Sequence, residues 1–350
     1  KFSSLLLHAQ TRIFSLKRHS SMPQKLASTS ITIAAPCYNE AQVIASFIVC
    51  VQKQVNNLHS QGFDVELLII NDGSTDDTQQ ILADLSARMP FLRVITFSRN
   101  FGHQAAVAAA INATNTDALI LMDCDLQHPP DLIPQMVKAW QAGSDIVSMV
   151  RETTAAQSIS KRLSSSLFYR IFNLFSATPL QEGASDFYLL GSRPLAALRQ
   201  LREYHPFWRA ILSWIGFQRT SLKYAAPARA AGESKYSLAK MLALAGDGLT
   251  SFSTKPMKAV VVAGLFSIAL GMLYLIYILI AMFGFGSTIP GWTSLIGVTI
   301  ALGGIQILVL GMIGIYIGKI FEQVKQRPLY IISDQLPASN KSLSGNQASL

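Results

Sequence analysis

From Ala259 to Gly318 the chain has no Asp, Glu, Lys, Arg or His. Sixty consecutive uncharged residues exclude a core helix of an ordinary soluble domain. The stretch divides at "GFGSTIPGW" into two apolar runs, Ala259–Phe283 and Thr293–Gly318. Each exceeds the ~20 residues needed to cross a bilayer. The short join, rich in Gly and Pro, makes them a hairpin of two transmembrane helices, expected at 257–283 and 292–318. That join also lacks Lys and Arg, whereas Lys255 and Lys258 precede the pair and Lys319, Lys325 and Arg327 follow it. The positive-inside rule puts both outer ends, and everything before residue 255, on the cytoplasmic side. A two-pass protein of a bacterial inner membrane is expected.

Other absences narrow the chemistry. The three cysteines, Cys37, Cys50 and Cys124, show no metal-ligand spacing and fit a reducing compartment without disulfides. No GxxxxGK[ST] and no GxGxxG occurs, so glycine backbone does not cradle a phosphate. No acid precedes Glu40; residues 1–30 carry Lys, Arg and Ser. They read either as a targeting segment or as upstream sequence joined to a start at Met22, and the second is preferred because "MPQKLASTSITIAAP" runs directly into a strand. The net charge of +9 is unevenly placed, and no nucleic-acid partner is expected.

Short apolar runs then alternate with helical stretches. "ITIAA" (31–35), "VELLIIN" (65–71), "LRVITF" (92–97), "ALILM" (118–122) and "DIVSMV" (145–150) read as strands. Helices are expected over 42–58, 76–87, 103–114 and 131–142. This alternation predicts an α/β domain with a mostly parallel sheet, whose ligands bind at the carboxyl ends of the strands. Polar clusters sit at those ends: "PCYNE", "NDGSTDD", "SRNFGHQ", "DCDLQ" and Arg151. The domain is expected over 31–230. Residues 231–256 carry apolar positions at helical spacing, which fits an amphipathic helix in the membrane interface or one packed on the soluble core. Residues 319–350 form a cytoplasmic tail, polar after Leu336.

"LMDCDLQHPP" (121–130) ends a buried strand on two carboxylates. A turn is one explanation, since Asp is common at strand ends and Pro-Pro stops a sheet. A site for a hard divalent cation is the other. The neighbouring clusters favour the cation. Asp72 can accept from a base N–H, and Asn39 and Glu40 can reach base or ribose. Asp123 and Asp125, with Gln127, can hold Mg2+ or Mn2+ against a diphosphate.

"PCYNE", "IINDGSTDDT", "SRNFGHQAA" and "LMDCDLQHPPDLIP" resemble inverting glycosyltransferase family 2, which implies a GT-A type fold. "VRE", "GASDFYLL", "GESKYSL", "FSTKP" and "GIYIGKIFEQVKQRPLYII" narrow the resemblance to polyprenyl-phosphate glycosyltransferases: dolichol-phosphate mannose synthase and, more closely, the bactoprenol glucosyltransferases. It spans about Ile31 to Ile332. The resemblance implies that Pro36, Tyr38, Asn39, Glu40 and Asp72 contact the nucleotide sugar and that Asp123 lies near ribose or diphosphate. It implies that Asp125 and Gln127, beside Asp123, hold the metal. Arg151 and Arg162, with Lys161 alongside, match residues expected to grip a lipid phosphate, and Asp186 would face the donor sugar. Asp125, Asp186 and Arg151 are the expected catalytic set. Tyr188 stands where many relatives have Arg, which leaves that position without a role.

The implied reaction is inverting transfer of a hexose from a nucleotide sugar to a polyprenyl phosphate, undecaprenyl phosphate being the expected acceptor. UDP-glucose is the expected donor; GDP-mannose, UDP-GlcNAc and a UDP-aminoarabinose derivative are alternatives. A processive polysaccharide synthase is disfavoured by the missing QxxRW motif and by only two spans. A sugar-lipid transport subunit is disfavoured because two uncharged helices line no polar pathway. A non-catalytic nucleotide-binding scaffold sits poorly with the intact acidic positions. Uncharged, Gly-containing membrane helices also suit self-association into a homo-oligomer.

Overall fold

The computed structural model describes residues 29–152, 183–204, 206–225, 255–285 and 291–337. Arg162 and Lys161, all but the last two residues of the amphipathic stretch 231–256, and nearly all of the 1–30 segment lie outside them.

Among the described residues, eight strands form one sheet. β1 (Ser30–Cys37), β2 (Asp64–Asn71), β3 (Leu92–Phe97), β4 (Ala118–Leu121) and β5 (Ile146–Arg151) match the apolar runs. Between them lie α1 (Ile44–Ser60), α2 (Thr78–Ser86), α3 (His103–Ala113) and α4 (Ile133–Gln141). β6 (Ala184–Gly191), α5 (Ser192–Leu198), α6 (Trp208–Trp214) and β7 (Arg219–Tyr224) follow. The chain continues with α7 (Lys255–Phe285), α8 (Trp292–Val324) and β8 (Ile332–Leu336). The strand order is β7-β5-β6-β4-β1-β2-β3-β8. β1 pairs in parallel with β2 and β4, β2 with β3, and β5 with β7. β6 is antiparallel to both β4 and β5, and β8 is antiparallel to β3. The fold is therefore α/β with a mostly parallel sheet, as expected.

The strands bury both faces, which explains their near-continuous apolar character. Ile31, Ile33 and Ala35 point to the core under α1, α2 and α4, whereas Ala34 points to the core under α3, α5 and α6. α1 supplies Ile44, Phe47, Ile48, Val51, Val55 and Leu58 on one stripe, the spacing of an amphipathic helix. α3 is different. Ala105 through Ile111 are all buried, and small side chains let this good helix former lie close to the sheet. Phe47, Phe97 and Phe187 are among the largest fully buried side chains, each contributing about 1.5–3 kcal/mol.

Two features depart from the sequence reading. The strand between β4 and β5 is β6, so an antiparallel strand brings its N-terminal end to the edge where β4 and β5 finish. Residues 332–336, read as part of a tail, form the edge strand beside β3. They lie well beyond the expected end of the catalytic domain at 230.

α7 and α8 touch each other. In α8, Leu302–Val324 is long and apolar enough to cross a membrane by length and composition, and it is unburied. In α7 the apolar stretch is the shorter Val260–Tyr274. α8 also runs past the expected end of the second span, reaching Val324.

Candidate functional site

The carboxyl ends of β1 to β5 meet the start of β6 along one edge. Three loops there are laced together. Asp72 N–H donates to the Cys37 carbonyl at 2.9 Å, and Glu40 N–H to the Thr78 hydroxyl at 3.0 Å. Asn39 adopts φ 54°, a left-handed conformation that Asn tolerates, and its Oδ1 accepts the Thr75 N–H at 2.8 Å. Asp76 accepts from the Thr78 hydroxyl and from the Thr78 and Ala41 amides. Burial would raise its carboxyl, but these hydrogen bonds prevail and hold it below the usual range. Pro36 is buried at the end of β1, whereas Tyr38 is exposed beside the loop.

Asp72 is 3% exposed. Its Oδ1 accepts the Phe101 N–H at 2.7 Å and its Oδ2 the Gly102 N–H at 2.9 Å. Burial still pushes this carboxyl up. Its neighbour Gly73 (φ +64°) lies so close to the next loop that a Cβ would sit 2.3 Å from the Arg99 carbonyl carbon. Gly102 then leads into α3, whose first residue is His103.

His103 Nε2 lies 3.9 Å from Asp123 Oδ1 and 3.8 Å from Asp186 Oδ2, so one imidazole spans the gap between the fourth and sixth strands. Burial pushes the Asp123 carboxyl up, although 36% of its side chain remains open to solvent. Two residues on, Asp125 Oδ1 accepts the Gln127 N–H at 3.0 Å. Leu126 between them has φ 59°, a conformation costing about 1–3 kcal/mol for a residue with a bulky side chain. The turn behind it is anchored by His128, which is buried and stacked on Phe187 at 5.1 Å. His128 Nδ1 accepts the Asp123 N–H at 2.9 Å. That nitrogen therefore carries a lone pair, and the 3.6 Å approach of Asp123 Oδ2 to it is not an ion pair.

Asp186, near the start of β6, is gripped at two points. Arg209 of α6 donates from Nε to Oδ1 and from its terminal nitrogen to Oδ2, both at 2.7 Å. Burial alone would raise this carboxyl, but Arg209 outweighs it and holds it below the usual range. A carboxylate so held is a weak proton acceptor at neutral pH. Arg209 is set by its neighbour Trp208, whose indole N–H donates to the Gln104 carbonyl at 2.9 Å.

Arg151 ends β5 with its side chain exposed. Burial raises the nearby Tyr224 hydroxyl, while Ser185 and Arg151 lower it and Asp123 and Asp125 raise it. Arg151 stands opposite Tyr224 in the β5–β7 pair. Tyr188 is buried opposite Leu121 in the β4–β6 pair, so that position is core. Sequence reasoning missed Arg209 and gave His103 and His128 no role. The quoted "SRNFGHQ" and "DCDLQHPP" contain both histidines, but nothing local signals Arg209.

Among the described residues no three His, Cys, Asp or Glu side chains gather as a metal cage. A small hard cation needs none, because it takes one or two carboxylates and completes its shell with phosphate and water. Asp123 and Asp125 stand two residues apart on the turn after β4 and offer carboxylate oxygens, the ligand type such an ion takes.

Comparison with known proteins identifies the family. Residues 32–196 match the model of glycosyl transferase family 2. The uncharacterized glycosyltransferase YkcC of Bacillus subtilis (strain 168) is 38% identical over 90% of this chain and 97% of its own. The SfII prophage-derived bactoprenol glucosyl transferase of Shigella flexneri is 35% identical over 86% of this chain and 97% of its own. Among solved structures, glucosyl-3-phosphoglycerate synthase from Mycobacterium tuberculosis, in complex with Mn2+, UDP-glucose and phosphoglyceric acid, aligns with a TM-score of 0.45 and 20% identity, over 66% of this chain and 84% of that one. That resemblance is loose, and the sequence relatives are the ones that decide. The chain belongs to glycosyltransferase family 2, is a glycosyltransferase, and groups with bactoprenol glucosyl transferase-like members of the family.

Proposed function

We propose that this protein transfers a hexose, glucose from UDP-glucose, to a polyprenyl phosphate at the cytoplasmic face of a bacterial membrane, with inversion at the anomeric carbon. The observation that carries this reading is the meeting of Asp72, Asp123, Asp125 and the Arg209-clamped Asp186 on one sheet edge, in a chain that continues into the apolar α7 and α8. The kinship with bactoprenol glucosyl transferases supports the acceptor class.

The loops holding Pro36, Tyr38, Asn39, Glu40 and Asp72 receive the nucleoside. Asp123, Asp125 and Gln127 would hold Mg2+ or Mn2+, which when bound screens the donor diphosphate and stabilises it as the leaving group. Asp186 orients a sugar hydroxyl. With Arg209 holding its charge, it is a hydrogen-bond acceptor for that hydroxyl rather than a general base.

The acceptor phosphate supplies its own nucleophile. Phosphate monoesters have a second pKa of about 6, so the dianion predominates at neutral pH without a base. Arg151, with Arg162 and Lys161, grips it and offsets repulsion from the donor diphosphate. The oxygen of that dianion forms a bond to the anomeric carbon as the bond to the nucleoside diphosphate breaks, giving polyprenyl-phosphate hexose and the free nucleotide.

A polyprenyl chain leaves the bilayer at a cost of ~0.8 kcal/mol per CH2, so the enzyme must work at the interface. α7 and α8 as a two-pass hairpin keep it there with both termini cytoplasmic.

The test is transfer of radiolabel from UDP-glucose, UDP-GlcNAc or GDP-mannose into organic-extractable undecaprenyl phosphate by the full chain in detergent with Mn2+. Label entering the lipid from UDP-glucose is the expected result. Transfer from another donor instead would replace glucose, and no transfer from any of them would overturn the reading.

A further inference from the structure

The segment after α8 turns back on the catalytic domain and passes beside the loop after β3, whose amides hold Asp72. Gln323, in the last turn of α8, donates to the Arg202 carbonyl and accepts the Tyr204 N–H at 2.8 Å. Gln326 then takes φ 48°, reversing the chain. Ser98 N–H donates to the Ile331 carbonyl at 2.9 Å, and β8 continues along β3. Tyr330 is seated between these anchors. Its ring stacks on Phe97 at 4.9 Å with planes 10° apart, and the Asn112 side-chain amide approaches its hydroxyl at 3.4 Å.

Phe97 is fully buried and meets Phe101 edge-on at 5.8 Å. Phe101 and Gly102 are the two residues whose N–H groups fix both oxygens of Asp72. Asp72 is buried, so losing either donor would leave a carboxylate oxygen unsatisfied and cost about 1–3 kcal/mol. The tight approach of Gly73 to Arg99 leaves the loop no compensating shift on that side. The loop is thus held by Asp72 on one face and by the Phe97–Tyr330 stack behind it.

We infer that Tyr330 is a positioning residue for the nucleotide-sugar site: its ring backs Phe97, which in turn meets Phe101 edge-on, and this fixes the amides that orient Asp72. This rests on the assignment of Asp72 to the nucleoside. The function of the segment after the membrane helices is then donor binding as well as attachment. A ring is required; the phenol oxygen is not, since Asn112 reaches it only at long range.

Tyr330→Leu keeps much of the apolar volume and removes the stack, whereas Tyr330→Phe keeps the stack and removes the hydroxyl. UDP and GDP are titrated in the presence of Mn2+ into full-length wild type and both variants in detergent, and hydrogen exchange is followed in the peptide covering residues 98–103. Wild type binding one nucleotide, Tyr330→Leu binding it about five-fold or more weakly with faster exchange, and Tyr330→Phe within about two-fold of wild type is the expected pattern. The KM for lipid acceptor stays unchanged in Tyr330→Leu, which a general loss of structure would not produce. If wild type binds but Tyr330→Leu binds equally well, the positioning role is overturned. If both variants weaken equally, the hydroxyl acts and the stack does not. Failure of wild type to bind either nucleotide overturns the site assignment, and the role of Tyr330 with it.

Discussion

Arg209 and Asp186 form a two-point pair, with both nitrogen–oxygen distances at 2.7 Å. The pair joins α6 to the antiparallel strand that enters the site edge between β4 and β5. Because 34% of the Arg209 side chain is open to water, water screens the pair in part. Arg209→Ala is expected to cost roughly 2–3 kcal/mol of stability, read as a lower unfolding midpoint in denaturant. Turnover should fall at least about ten-fold, because Asp186 loses its orientation.

The same pair sets a pH dependence. Folded Asp186 ionises more readily than an unfolded Asp. Its contribution to stability is therefore complete above the unfolded value of ~3.9 and fades as pH falls through the lower folded value. In Arg209→Ala the largest opposing influence on burial is gone, leaving only the neighbouring His103 and His128 against it, and that carboxyl moves up. The variant should then lose stability relative to wild type as pH rises through ~4 and above. Melting curves between about pH 3 and 7 separate the two behaviours; parallel curves would show that the pair does not govern the ionisation.

Asp125→Asn preserves shape and removes charge. Nucleotide affinity in wild type should rise when Mn2+ is added, and in the variant this gain should vanish, with turnover down by about 100-fold or more. Calorimetric titration of UDP with and without Mn2+ checks it. A full metal-dependent gain in the variant would remove Asp125 from the cation site.

Gly73→Ala places a methyl 2.3 Å from the Arg99 carbonyl carbon, at a residue with φ +64°. Backbone strain of about 1–3 kcal/mol is expected, together with weaker nucleotide binding because the Asp72 and Arg99 loops can no longer close on each other. Thermal unfolding and the same UDP titration read both effects; a variant as stable as wild type would mean that the loops shift freely.

Protease added outside intact cells should leave the region of Gln218 uncut, and inverted membrane vesicles should expose it. Cleavage in intact cells would reverse the proposed orientation.

The first five strands were legible because each is a short apolar run buried on both faces, and the polar clusters were legible because they punctuate those runs. β7, "RTSLKY", and β8, "ISDQL", carry no such signal. Both lie at sheet edges, where polar side chains meet water and the hydrophobic pattern fades. "GASDFYLL" was quoted as a motif, but sequence does not reveal that it enters antiparallel between β4 and β5. Arg209 was invisible for another reason. A single cation in "FWRAIL" has no local partner, and Asp186 lies 23 positions away in the chain. His128 stood in the quoted stretch, yet its task, accepting the Asp123 amide while stacked on Phe187, depends on β6 being next door.

β8 also imposes an order on synthesis. The catalytic sheet is begun by Ser30 and its β3 edge is covered only by residues made after both α7 and α8. While the ribosome is still producing α7 and α8, β3 presents an open row of amides and carbonyls, the kind of edge that recruits other strands. Closure of the enzyme's sheet is thereby tied to completion of the two long apolar helices, and a chain interrupted before Ile332 is left with a reactive flank rather than a finished domain.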